Sequence, residues 1–200
     1  VTLPRPVQRL INTARTRLPG VLDDSMVYEL FTVMDQFLRD TNAWQERVPV
    51  FVRANVNEYE VETEDATGEI VRLLGVTHND RPVRASMPTP GLLRFATMPN
   101  TDGQYFATMA LTVTDPVREE TGLPDYPDWL FTHSYNAMLD GLLAHMMSQP
   151  AKPYSNTTMA LHHGRRFRSA ISAARVSASR HHLYGGQSWM FPRTFPTGPR

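Results

Sequence analysis

The chain has 200 residues, is 41% hydrophobic, and carries 20 basic and 20 acidic side chains with no cysteine. That is enough apolar material for one domain, or one domain with a smaller insertion, to bury a core. It excludes disulfides and thiolate metal sites, which fits folding in a reducing compartment; no run of about 18 apolar residues suggests a membrane span, and the opening VTLPRPVQRL reads as lacking the apolar core of a secretory leader.

The net charge of zero hides a strong asymmetry. All 20 acidic residues lie between Asp23 and Asp140. Arg5, Arg9, Arg15 and Arg17 precede them, and Lys152, Arg165, Arg166, Arg168, Arg175, Arg180, Arg193 and Arg200 follow with no acid to balance them. Either the two basic ends pack together within one chain, or the charges are complementary between copies, or a basic surface faces nucleic acid.

In chain order, Pro4 and Pro6 open a helical pattern with Val7, Leu10, Ile11, Ala14 and Leu18 on one face, stopped by Pro19-Gly20. Asp23, Asp24 and Ser25 are expected to cap a second helix that turns Val27, Leu30, Phe31, Met34, Phe37 and Leu38 inward. The short connection makes the two helices neighbours.

After Trp44 the period changes from helical to alternating. Val48, Val50 and Val52 alternate with Pro49, Phe51 and Arg53, and GEIVRLLGV, RPVRA, LLRF and YFATMALTV are separated by the turn signals HND, PTPG and NTDG. Residues 47–115 therefore predict a small antiparallel sheet or sandwich between helical segments. Helix returns at Trp129 and is expected to run unbroken to Ser148, apolar around much of its circumference and so buried on more than one side. PAKPYSN then reads as a rigid extended connector. Asn156 or Thr157 caps a last helix with a seam of Phe167, Ala170, Ile171, Ala174 and Ala178.

The tail, GGQSWMFPRTFPTGPR, cannot be helical, because Pro192, Pro196 and Pro199 interrupt it. It is also too apolar for a solvated fray. It folds back on its own domain or serves as an arm for another chain.

Chemistry is sparse. The pairs His162-His163 and His181-His182 invite a metal, but adjacent helical residues point about 100° apart and chelate one ion poorly. No acid lies within fifteen residues of either pair, so these histidines read as solvated or at an interface. Neither GxSxG nor a phosphate-loop motif occurs, and the acids read as solvated turn and strand-edge residues. No cofactor is expected, and no enzymatic activity. The segment GRRFRSAISAAR places four arginines around one helix with Phe167 inward, which suits phosphate contacts or a neighbour's acidic patch. The former reading makes the chain a nucleic-acid-binding module. Aromatic residues do not interleave with the arginines as a stacking platform requires, which favours the latter.

Three stretches carry a family resemblance: ARTRLPGVLDDSMVYELFTVMDQFLRDTNAWQERVPV, LPDYPDWLFTHSYNAMLDGLLAHMMSQPAKPYSN, and GRRFRSAISAAR directly after it. Together they resemble the head-to-tail adaptor (connector) proteins of tailed bacteriophages, over about 100 of the 200 residues. The β-region between them matches in placement only. The resemblance implies an α+β fold: an antiparallel helical bundle core, an inserted small antiparallel β-domain and an extended C-terminal arm. On that plan residues 1–46 and 121–180 form the core, 47–120 the insertion and 181–200 the arm.

It also implies a structural virion protein, made in the host cytoplasm and built into the head–tail junction. Such proteins form a homo-oligomeric ring, typically of twelve copies, between portal and tail or nozzle protein, around a channel through which DNA passes without sequence-specific binding. Tyr184, Trp189, Met190, Phe191, Arg193 and Phe195 are then expected to dock the arm on the portal. Lys152, Tyr154, Arg165, Arg166, Arg168 and Arg175 are expected at the subunit interface.

Overall fold

The computed structural model describes residues 3–63, 68–113, 126–127 and 129–179. Two helices come first, α1 (Arg5–Arg15) and α2 (Asp23–Thr41). Val7, Leu10, Ile11, Ala14 and Leu18 are fully buried, as their spacing predicts. The start of α2 differs from expectation. Its N-cap is Leu22 in an extended conformation with no side-chain cap, while Asp23 and Asp24 occupy the first turn. There they face the positive end of the helix dipole, and the Asp23 carboxylate accepts from the Arg15 guanidinium, tying α2 to the end of α1.

Among the described residues seven strands follow: β1 (Gln45–Val52), β2 (Glu58–Glu60), β3 (Gly68–His78), β4 (Arg81–Val83), β5 (Ala85–Thr89), β6 (Leu92–Phe95) and β7 (Gly103–Val113). They form two antiparallel sheets, one ordered β1-β7-β3-β4 and the other β2-β6-β5. The turn signals act as read. Asn79 and Asp80 join β3 to β4 with φ of 48° and 59°, the two positive values that a two-residue hairpin needs. Gly91, at φ 82°, turns β5 into β6.

The sheets meet through aromatic rings: Phe95 lies edge to face on both Tyr59 and Tyr105, at 5.7 and 5.2 Å, and His78 stacks on Tyr105 at 4.2 Å. The second half of β7 is buried on both faces, because α2 covers one of them. Thr112 donates to Asp35 of α2 there, at 2.8 Å. Helices and strands thus share one connected apolar core, and the fold is α+β.

The last three helices are α3 (Trp129–His133), α4 (Tyr135–Ser148) and α5 (Thr157–Ser179). The single helix expected over Trp129–Ser148 is broken at Ser134, whose φ of −119° and ψ of 20° lie outside the helical well. Serine competes for local hydrogen bonds and is a weak residue at such a point. The break is a bend: Ser134 N–H still donates to Leu130 and its carbonyl still accepts from Met138.

PAKPYSN is likewise no extended connector. Ala151 takes a left-handed φ of 58°, and the Asn156 N–H returns to the Met147 carbonyl at 3.0 Å, so the segment is a tight reversal. It brings α4 and α5 side by side. Asn156 caps α5 by accepting from the Met159 N–H at 3.1 Å.

Candidate partner-binding surface

Helix α5 divides into three faces. Ala160, His163, Phe167, Ile171 and Ala178 are buried against α4 and α2. The inclusion of His163 corrects the expectation that the histidines are solvated or at an interface: it is 3% exposed. Its Nδ1–H donates to Asp140 Oδ1 at 2.7 Å, and Arg166 Nε donates to Asp140 Oδ2 at 3.0 Å. Asp140 is 6% exposed, an exception among acids read as mostly solvated. The chain buries this acid because both carboxylate oxygens are satisfied.

The far nitrogen of His163, Nε2, is sealed from solvent with no hydrogen-bond partner among the described residues. The dyad joins α4 to α5. Among the described residues no three His, Asp or Glu side chains converge on a metal position, and no helix is long and apolar enough to cross a membrane.

The second face of α5 points away from the protein. At 100° per residue Leu161, Arg165, Arg168, Ser172 and Val176 fall within about 80° of arc. All five are exposed, Leu161 by 56% and Val176 by 49%. Arg165 and Arg168 make no side-chain hydrogen bond or ion pair with another described residue. Arg166 and Arg175 differ: Arg166 is held by Asp140, and Arg175 Nε donates to the Asp40 carbonyl at 2.8 Å. Of the four arginines proposed for an interface, two are committed within the chain and two are free to meet another molecule.

The reversal carries the other two interface candidates. Lys152 is exposed at its tip. Tyr154 is half-buried against the core, and its hydroxyl donates to Gln149 Oε1 at 2.9 Å, so its ring braces the turn. Tyr184, Trp189, Met190, Phe191, Arg193 and Phe195 lie outside the described residues, as do the boundaries placed at 120 and 180.

The third face of α5 was not legible as a site. Ala170, Ala173, Ala174 and Ser177 form one wall of a groove of about 820 Å³. Trp44 and Phe37 line its base, and Trp129 and Tyr135, either side of the Ser134 bend, form the opposite wall. Ser134 itself lines the groove, between these two residues.

Exposed acids sit elsewhere. The carboxylates of Asp24, Glu60 and Asp80 are exposed, with no cation of the described residues beside them. On the β-sheet, Phe51 is 73% exposed, and the Arg47 guanidinium covers the Phe106 ring at 4.3 Å. In sequence comparison no protein-family model matches the chain, and no curated protein matches it.

Proposed function

We propose that this chain is a structural virion protein, a ring-forming adaptor that joins the portal to the tail around the DNA channel. In this reading the helices are the antiparallel bundle core of each subunit, the β-region is an insertion turned toward the tail, and residues 181–200 are the portal-directed arm. The observation that carries it is the outward stripe of α5. A helix face that carries two arginines unpaired with any described residue, between the exposed Leu161 and Val176, suits a partner that is acidic with apolar groups beside the acids.

The same chain offers exposed acids on other surfaces, at Asp24, Glu60 and Asp80. Exposed charges of opposite sign on different elements of one subunit suit a heterologous interface, which closes into a ring when the rotation allows. The resemblance in the flanking helical segments supports the same assignment and gives the expected number of twelve copies.

The test is assembly. Purified chain, alone and with the portal protein of the same virus, is imaged by negative stain and sized by mass photometry. Rings that seat on the portal are expected. Monomers under every condition, with portal present, would overturn the proposal. Tight duplex-DNA binding by the isolated chain, weakening steeply with salt, would instead assign the stripe to phosphate contacts.

A further inference from the structure

We infer that the groove between α5 and the α3–α4 bend is the seat of the chain's own C-terminal segment, residues 187–195. Three observations lead there. The groove is mainly apolar, lined by the aromatic rings of Trp44, Phe37, Trp129 and Tyr135 and by the small side chains of Ala170, Ala173 and Ala174, which leave room for large ones. Helix α5 ends beside it: Ser177 is in its wall, and the Ala178 carbonyl accepts from Gln45 Nε2 at 3.4 Å. The 21 C-terminal residues 180–200, outside the described structure, begin at that point, and they hold Trp189, Met190, Phe191 and Phe195.

The distances permit the return. Ala170 to Ser177 spans about 10 Å along the helix. Residues 180–189 reach about 30 Å when extended, and Gly185-Gly186 supplies a reversal point. Apolar side chains of that size gain most from a concave apolar surface. The occupant is therefore argued from connectivity as well as chemistry, and the inference holds for the isolated chain whether or not rings form. On the ring reading it adds a regulation: a partner that captures the arm must first draw it out of this groove.

The absence of cysteine from the sequence makes the test clean. The full chain carrying Ala173→Cys and Met190→Cys is treated with a short bismaleimide at low protein concentration. The comparison is Ser172→Cys with Met190→Cys, which places the thiol about 150° around α5 from the groove. Intramolecular crosslinking about tenfold faster for the groove pair is expected, and changing Trp189, Phe191 and Phe195 to alanine should remove that preference. Equal rates for the two pairs would overturn the inference. Crosslinked dimers from the groove pair would also overturn it, and would assign the groove to a second copy's arm. If the Ala173→Cys chain does not fold, Thr132→Cys on the opposite wall gives the same comparison.

Discussion

Asp140 of α4 and His163 of α5 meet across the helix interface, Nδ1 to Oδ1 at 2.7 Å, with both residues at least nine-tenths buried. The carboxylate's second oxygen takes Arg166 at 3.0 Å, so one acid accepts from two side chains of the neighbouring helix. Asp140→Ala should cost roughly 3 kcal/mol, because it leaves a buried imidazole and an arginine without their acceptor. Replacing Asp140 and His163 together by leucine should cost much less, since no buried polar group is then orphaned. Urea unfolding of Asp140→Leu, His163→Leu and the double variant, read as a cycle, gives the coupling directly. Additive effects would mean that the pair contributes nothing specific.

The elements of this fold were largely legible because their signals are local. The apolar stripes of α1 and α2, the alternation in β1 and the turns at Asn79-Asp80 and Gly91 each depend on a few adjacent residues. The division into two sheets was not, since the pairing of β1 with β7 joins residues far apart in the chain. The Asp140–His163 pair shows the same limit, its members standing 23 positions apart. A signal did exist. His163 continues the spacing of Phe167 and Ile171, and Asp140 is the one acid within α4, a helix buried on several sides. The α5 groove was hidden for another reason: its lining joins α5 to Phe37, Trp44 and residues within 129–137, and includes a bend at Ser134 that the apolar pattern runs straight through.

Gly141 stands beside Asp140 for a steric reason. A Cβ there would lie 2.4 Å from Val33 Cγ1 and 3.1 Å from the Phe167 ring, so α4 approaches α2 and α5 at the only distance a glycine allows. Gly141→Ala gains about 1 kcal/mol of helix propensity but overpacks the contact, and a net loss of about 1–2 kcal/mol is expected. Val33→Ala should recover part of the loss in the double variant. An unchanged thermal midpoint for Gly141→Ala would show that the helices separate freely and that the close approach is not needed.

The reversal between α4 and α5 holds strain at Ala151, whose φ of 58° is unfavourable for a residue with a Cβ. The left-handed region costs an L-residue about 1–2 kcal/mol, while glycine loses roughly 0.5–1 kcal/mol more backbone entropy on folding. Ala151→Gly should therefore raise stability by up to about 1 kcal/mol, the difference between these terms. Denaturant midpoints measure it. A destabilised variant would mean that the turn relaxes around the alanine and stores no strain.

The outward stripe of α5 gives the most direct test of surface against scaffold. Arg165 and Arg168 are exposed and unpaired with any described residue, so Arg165→Glu and Arg168→Glu together should leave the unfolding midpoint within about 0.5 kcal/mol of the parent. Ring assembly, if the stripe meets a neighbour's acids, should fail, because each interface would then juxtapose like charges. Arg166→Glu is the informative contrast: it opposes Asp140 within the chain and should destabilise the monomer itself. Mass photometry of the three proteins beside their denaturation curves separates the outcomes. Rings formed normally by the Arg165→Glu, Arg168→Glu protein would remove this face from the interface.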